Sequence, residues 1–184
     1  MDLNAWAHDL AESLLAEQLP RRWAHSQGVA AKAGTLVPIL GDDADLLRAA
    51  AMLHDIGYAP PIATTGFHPL DGARYLRDKT HADQALIRLV ANHSCAPLEA
   101  QERDLEHELA LEFPLLDRPD LVDALIYCDM TTTPHGEPTT ASARLREISS
   151  RYGDDSIVGR FIRRATPDIR AAVSAVESRL AAIA

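Results

Sequence analysis

The sequence is poor in several features that would each place it in a particular class of protein. Only two cysteines, Cys95 and Cys128, occur in its 184 residues, so a disulfide framework is not expected. No apolar run reaches the length of a membrane-spanning helix, and the first residues lack the basic start and apolar core of a signal peptide. These absences favour a soluble cytoplasmic protein that does not associate with membranes.

Basic residues are also scarce. The chain has 18 lysines and arginines against 27 aspartates and glutamates, which gives a formal charge of −9. Proteins that coat nucleic acid need a basic surface that displaces counterions, so general nucleic-acid binding is not expected. A small phosphate ester is compatible with this charge, because bound divalent cations supply positive charge locally. The composition leaves open whether the chain forms a homo-oligomer.

Strand patterns are missing as well, and nearly every segment has helical periodicity. Apolar residues recur at intervals of three or four, as at Leu3, Trp6, Leu10 and Leu14. Alternating strand segments and repeats of 20–50 residues are absent from the sequence. We therefore predict an all-α protein, a single domain over residues 1–184 that forms a bundle of about seven to nine helices.

Proline and glycine predict several helix boundaries. One helix is expected to begin at Pro20 and to end at about Leu40. Residues 99–112 are expected to form one strongly acidic helix. The last helix is expected over residues 155–183, with a break at Pro167 because proline cannot donate a helical hydrogen bond.

One apolar helix carries two polar side chains in its last turn. Residues 46–58 read Leu-Leu-Arg-Ala-Ala-Ala-Met-Leu-His-Asp-Ile-Gly-Tyr, so His54 and Asp55 follow an apolar stretch. Gly57 is expected to adopt the left-handed conformation that commonly ends a helix. Two polar ligands on an otherwise buried helix are costly unless a partner satisfies them, and a metal ion is one candidate.

Other apolar helices carry histidine or aspartate at comparable positions. In chain order the set is His25, His54, Asp55, His68, His93 and Asp129. Helical bundles build metal sites from inward-facing side chains of several helices, which is the arrangement that this set predicts. A single histidine on an apolar face is more often an ordinary core or surface residue. We keep that interpretation for His8, His81, His107 and His135.

The ordered set resembles the HD-domain superfamily of metal-dependent phosphohydrolases, whose defining pattern is His…His-Asp…Asp. The segments Arg-Trp-Ala-His-Ser-Gln-Gly-Val-Ala and Ala-Met-Leu-His-Asp-Ile-Gly are similar to the first two motif helices of that family. A narrower resemblance is to the bacterial subgroup that includes YqeK-like diadenosine tetraphosphate hydrolases. The resemblance implies an HD metal-binding core over about residues 20–133, with helices in residues 141–183 packing on it.

The resemblance also implies a ligand set. It assigns a first metal ion to His25, His54, Asp55 and Asp129, and a second to His68 and His93. Asp55 has two oxygens and could bridge the pair. Mixed nitrogen and carboxylate ligands suit two divalent transition metal ions, Fe or Mn above all, with Zn, Mg or Ni as alternatives. A water between two cations loses a proton near neutral pH, and this hydroxide would attack a small phosphorylated substrate such as a nucleotide. His54 and Asp55 are the predicted catalytic residues.

Four further residues are candidates for binding the substrate. Arg21 and Arg22 lie one helical turn before the first predicted ligand, Arg74 follows the fourth ligand on its helix, and Thr132 follows the last ligand. A solvated face is the alternative for each arginine, because spacing alone does not show which way it points. If the acidic residues of 99–112 border the pocket, they would disfavour highly anionic substrates.

Two other functions are compatible with the same six residues. Some HD proteins with this set use a mixed-valent di-iron centre to oxidise C–H bonds, so an oxygenase acting on a small molecule is one alternative. The other is a non-catalytic regulatory module on an HD scaffold. The ligands do not separate hydrolase from oxygenase, whereas the metal and its redox state would. A metal-dependent phosphohydrolase is the function that we expect.

Overall fold

The backbone is helical throughout most of its length. The computed structural model describes residues 2–183, so Met1 and Ala184, the ends of the predicted single domain, lie outside the described residues. The α-helices are α1 (Leu3–Leu15), α2 (Pro20–Gly34), α3 (Val37–Leu40), α4 (Ala44–Leu53), α5 (His68–Lys79), α6 (Gln84–Asn92), α7 (Ala96–Glu102), α8 (Glu106–Glu112), α9 (Pro119–Met130), α10 (Ala141–Tyr152) and α11 (Ile157–Ala181). Short 3-10 helices span Gly41–Asp43, Ile56–Tyr58 and His93–Cys95.

The prediction of an all-α fold is confirmed. Within residues 2–183 the extended backbone pairs at a single isolated bridge, between Thr132 and Pro138, and no strand forms. None of the helices described is long and apolar enough to span a lipid bilayer.

Two predicted helices are each divided in the structure. The helix that begins at Pro20 ends at Gly34 rather than near Leu40. Pro38 could not continue that helix, because it lacks an N–H, and it instead occupies the first turn of α3. The acidic segment 99–112 forms α7 and α8, which are separated where Asp104 has a positive φ of 59°.

The predicted break at Pro167 is wrong. Helix α11 continues through this residue to Ala181, although the proline removes one backbone hydrogen bond. Buried side chains lie on both sides of it, Ile162 before and Ile169 after, so packing against the rest of the protein holds the helix together across the missing bond.

Helix α9 joins two clusters of buried apolar side chains. The larger cluster draws on helices α1 to α9 and on Val173 and Val176 of α11, and it includes Leu15, Leu53 and Phe67. The smaller cluster is formed by Ile126, Met130, Leu145, Ile148, Phe161, Ile162, Ala165, Ile169 and Ala172. Since α9 contributes to both, and α11 packs on α9, α10 and α7, the C-terminal helices are anchored beside the end of α9.

A buried carboxylate fixes the loop that precedes α5. Asp71 is only 2% exposed and accepts hydrogen bonds from the backbone N–H and the hydroxyl of both Thr64 and Thr65. A buried charge is tolerated only when it is hydrogen-bonded in this way. The loop is thereby tied to the first turn of α5, the turn in which His68 lies.

Candidate metal centre

The six predicted ligands lie in one cluster. Five of them line one pocket, and the buried His54 packs between His25 and His93, with ring centres 5.3 and 5.1 Å away. His25 lies on α2, His54 and Asp55 follow α4, His68 begins α5, His93 follows α6, and Asp129 lies near the end of α9. Five are buried and His68 is partly buried. This convergence shows that the ends of several apolar helices meet at one place in the fold.

The first group of donor atoms comes from α2, α4 and α9. Nε2 of His25 lies 3.0 Å from Oδ1 of Asp129, and Nε2 of His54 lies 3.6 Å from Oδ2 of Asp55. His25, His54 and Asp55 each offer a ligand atom within 4.8 Å of the others. These atoms are close enough to contact one ion.

The second group lies on the other side of Asp55. Nε2 of His68 lies 3.1 Å from Nε2 of His93 and 3.4 Å from Oδ1 of Asp55. The carboxylate of Asp55 therefore presents one oxygen to His68 and the other to His54. This places Asp55 between the two groups of histidines.

Backbone carbonyls set the orientation of three imidazoles. The Nδ1 atoms of His25, His54 and His93 lie 2.9, 2.7 and 2.7 Å from the carbonyl oxygens of Thr133, Ala51 and Val90 respectively. A carbonyl oxygen only accepts hydrogen bonds, so each Nδ1 is the donor and the neutral ring has its lone pair on Nε2. That is the tautomer of a histidine that binds a metal through Nε2.

The donor set fits a divalent transition metal ion. Nε2 of His54 is buried yet has no hydrogen-bond partner among the described residues, a costly state that a bound cation would relieve. Two ligand atoms that each lie about 2.1 Å from one cation, at roughly a right angle, are about 3 Å apart. The distances of 3.0 Å from His25 to Asp129 and 3.1 Å from His68 to His93 match this spacing. Nitrogen and carboxylate donors together suit Fe, Mn or Zn.

The charges around Asp55 keep it ionised. Arg22 donates a 2.7 Å hydrogen bond from Nη1 to Oδ2 of Asp55, and its guanidinium lies 3.7 Å from the centre of the Tyr58 ring. Burial alone would raise the pKa of Asp55, but Arg22 and the neighbouring imidazoles outweigh burial and hold that pKa well below its usual value. Tyr58 also stacks on His68 with ring centres 3.9 Å apart, which completes a stack of three side chains.

The pKa values of His25, His68 and His93 shift in different directions, although burial opposes protonation of each. Burial lowers the pKa of His68 and that of His93, so both rings are neutral, the form that binds metals. Burial also opposes protonation of His25, but the hydrogen bond and the charge of Asp129 prevail and raise the pKa of this ring. A metal ion held by His25 and Asp129 would replace that proton.

The role of Gly57 differs from the predicted one. Gly57 lies in the 3-10 helix Ile56–Tyr58 and does not have a positive φ, so the expected left-handed helix end is wrong. A Cβ atom at this position would lie 2.0 Å from the carbonyl oxygen of His68 and 2.7 Å from the amide nitrogen of Gly72. Glycine is required here because the first turn of α5 packs directly against the backbone, which brings His68 beside Asp55.

The four predicted substrate-binding residues have different surroundings. Arg22 lines the pocket, and the exposed Arg21 lines an adjoining cavity. Arg74 is turned away and is paired with Glu108 and Glu112 of α8.

Thr132 is buried, and its hydroxyl donates to the carbonyl of Cys128. Arg74 and Thr132 therefore do not line the pocket, and we do not retain their predicted contacts with substrate.

Several pocket residues are absent from the sequence prediction. Ser94 donates a hydrogen bond to Oδ2 of Asp129 from a left-handed conformation with φ of 48°. Arg144, Arg151 and Tyr152 reach the pocket from α10. The C-terminal third of the sequence matches no catalytic motif. The one feature of the sequence that could have indicated these pocket residues is the number of arginines in α10.

Comparison with known proteins matches residues 22–130, more than half of the 184 residues, to the HD domain family. Ribonuclease Y of Rubrobacter xylanophilus is 33% identical over 79 residues, which are 43% of this chain and 15% of that protein. Ribonuclease Y of Rhodopirellula baltica is 38% identical over 69 residues, 38% of this chain and 13% of that protein. The chain thus matches only a small part of the length of either relative. No solved structure matches the chain at a significant level.

Proposed function

The chain belongs to the HD domain family, and from that premise we propose that it is a metal-dependent hydrolase of a small phosphoester, such as a nucleotide. Metal-dependent phosphohydrolases are typical of the HD superfamily. The observation that carries the proposal is the position of Asp55, whose two oxygens face two separate groups of histidine Nε2 atoms.

We assign a ligand role to each of the six residues. His25, His54, Asp129 and Oδ2 of Asp55 would hold a first cation, and His68, His93 and Oδ1 of Asp55 would hold a second. Bound cations would activate a water molecule as the nucleophile and offset the charge that develops on the phosphoryl oxygens.

Arg22 would orient the scissile phosphoryl group. It lines the pocket beside Asp55, and its stacking on Tyr58 fixes the plane of the guanidinium. One N–H donates to Asp55, which leaves other donors of the guanidinium for oxygens of the substrate. Ser94 would act indirectly, since its hydrogen bond to Asp129 orients that carboxylate toward His25.

The similarity to Ribonuclease Y bears on the kind of ester. The name of these relatives describes cleavage of RNA, so a phosphodiester belongs among the candidate substrates. The net charge of −9 opposes binding of a long polyanion, because few phosphates could be neutralised by protein cations. A nucleotide or a short phosphodiester is therefore the substrate that we favour.

The test is a screen of nucleotides and phosphodiesters with the full-length protein, loaded with Mn²⁺ or, without air, with Fe²⁺. We expect phosphate or nucleotide release by the unaltered protein and its loss in His54→Ala and Asp55→Ala. His107→Ala, which changes an exposed histidine on α8, serves as the matched control.

Two results would overturn the proposal. Turnover that strictly requires dioxygen and releases no phosphate would indicate the oxygenase. A protein that neither binds metal nor hydrolyses any ester after metal loading would indicate the regulatory module.

A further inference from the structure

A second cavity lined by arginines adjoins the candidate metal centre. Its volume is about 240 Å³, and it is lined by Arg21, Arg22, His25, Pro134, Arg144, Arg151 and Tyr152. No carboxylate is among these lining residues, although the chain as a whole carries a charge of −9. Five of these seven residues also line the pocket at the metal centre, so the two cavities are contiguous; they are Arg22, His25, Arg144, Arg151 and Tyr152.

Arg144 lacks acceptors for most of its guanidinium. The residue is only 7% exposed, and its Nε is buried without a hydrogen-bond partner among the described residues. Among the described residues, the only hydrogen bond of its side chain is to Glu147, to which Nη1 donates. Because an unsatisfied buried donor is costly, this geometry favours an anion at the wall that Arg144 forms.

The charges around this cavity are unbalanced. Glu147 also pairs with Arg151, so one carboxylate serves two guanidinium groups. Arg21 is exposed, and within residues 2–183 no hydrogen bond or ion pair involves its side chain. Among the described residues, Glu147 is the one carboxylate that pairs with Arg144 and Arg151, and the charge of Asp129 also acts on Arg144. The guanidinium groups of Arg21, Arg144 and Arg151 therefore outnumber these two carboxylates.

All three of these arginines lie outside the part of the chain that matches the HD family, which begins at residue 22. The match ends at residue 130, whereas Arg144 and Arg151 belong to α10. They are seven positions apart, which places them two turns apart on the same helix face. The subsite therefore combines α10 with Arg21 of α2, and none of its three arginines is one of the proposed metal ligands.

We propose that Arg144 and Arg151, together with Arg21, form a phosphate-binding subsite beside the metal centre, and that it holds a second phosphate group of the substrate. This inference rests on the proposed function, because it places the scissile phosphoryl group at the histidine cluster. Planar guanidinium groups bind phosphate oxygens in pairs, and the excess of guanidinium groups over carboxylates at this cavity favours an anion.

The first experiment needs no catalysis. Inorganic phosphate is titrated by calorimetry into full-length protein that has been stripped of metal and dialysed free of chelator. We expect binding of one phosphate, weakened about ten-fold or more in Arg144→Met and in Arg151→Met, since each loses a charged hydrogen bond. Arg146→Met is the control, because Arg146 is exposed on the same helix and does not line the cavity.

The second experiment distinguishes a phosphate of the substrate from free phosphate. The Mn²⁺-loaded protein is given thymidine p-nitrophenyl phosphate with and without a second phosphate on the other sugar hydroxyl. We expect a KM about ten-fold lower for the bisphosphorylated ester, and we expect Arg151→Met to remove most of that difference while Arg146→Met preserves it.

Several outcomes would overturn the inference. Absence of phosphate binding by the metal-free protein, or unchanged binding in Arg151→Met, would show that the cavity is no anion site. If Arg144→Met fails to fold because Arg144 is buried, Arg151→Met and Arg21→Met take its place in this comparison.

In the second experiment, phosphate binding with equal KM values for both esters would mean that the site serves free phosphate and not the substrate. Hydrolysis of neither ester, with phosphate binding intact, would instead count against the proposed function.

Discussion

The carbonyl oxygen of His68 lies 2.0 Å from the position that a Cβ atom on Gly57 would occupy. No side chain can be accommodated there without moving the first turn of α5. We expect Gly57→Ala to lower the free energy of unfolding by about 3 kcal/mol, because the atom that blocks the methyl group belongs to the backbone. Urea unfolding measures this loss. Metal analysis should also show weaker binding of metal by His68, because His68 lies in the turn that moves.

The matched control for this substitution is Gly34→Ala at the end of α2. A Cβ atom there would lie 3.6 Å from the side chain of Arg48, an ordinary contact, so the change should be neutral or slightly stabilising. Equal stability of Gly57→Ala and the unaltered protein would show that α5 does not approach the backbone as closely as described.

The sequence was sufficient to predict the helical fold and to choose the residues that meet at the pocket. Helical periodicity reveals each apolar face, and polar ligands at the ends of such faces are conspicuous because burial makes them costly. His54 and Asp55 could therefore be chosen before any contact was known. The structure adds the division into two groups, since the orientation of the Asp55 oxygens depends on how α4 and α5 pack.

Other features could not be predicted, because they depend on packing between distant parts of the chain. The role of Gly57 is set by α5 and not by its own helix, and the continuity of α11 through Pro167 depends on side chains buried against other helices. Arg74 follows His68 by six positions but is paired with Glu112, a contact made across 38 residues. The arginines of α10 reach the pocket only because α11 anchors that helix beside α9.

Removal of the Asp71 carboxylate should loosen the loop before α5. Asp71→Ala leaves the N–H groups and hydroxyls of Thr64 and Thr65 without their acceptor, so we expect a loss of about 3 kcal/mol in the free energy of unfolding. Asp71→Asn keeps the shape and part of the hydrogen bonding and should cost less. Asp154→Ala, at an exposed position, is the control. If Asp71→Ala unfolded at the same urea concentration as the control, this network would not contribute to stability.

The ion pairs of Glu112 predict a dependence of stability on pH. Hydrogen bonds from Arg74, and then from Arg77, lower the pKa of Glu112 below its ordinary value of 4.5. A carboxyl group with a lowered pKa in the folded state stabilises the protein above the ordinary pKa, and this contribution is lost as the pH falls through the folded-state pKa.

We expect Glu112→Gln to be less stable at neutral pH by about 1 kcal/mol at most, because the pair is partly exposed. The difference should shrink as the pH falls below about 4.5, which unfolding curves over a pH series would detect. Glu17→Gln, at an exposed glutamate, should differ little from the unaltered protein at every pH. A difference for Glu112→Gln that grew as the pH fell would contradict this assignment.

Binding of metal should stabilise the folded protein. A ligand at about 100 times its dissociation constant adds roughly 2.7 kcal/mol, which for a chain of this size raises Tm by roughly 5–10 °C. Mn²⁺ should therefore raise the Tm of the chelator-treated protein, and His54→Ala should reduce this increase. His8→Ala is the control, because His8, Asp9 and Glu12 form an exposed group of possible ligands. An equal increase in His54→Ala and the unaltered protein would place the metal elsewhere.

We propose that His25, His54, Asp55, His68, His93 and Asp129 hold two metal ions around Asp55. The most direct test is elemental analysis of the purified full-length protein beside His54→Ala and His68→Ala. We predict about two transition metal ions per chain for the unaltered protein and about one for each variant, because His54 and His68 are each assigned to one cation only. Two ions retained in His68→Ala, or no metal in the unaltered protein after loading with Mn²⁺ or Fe²⁺, would contradict the two-metal centre.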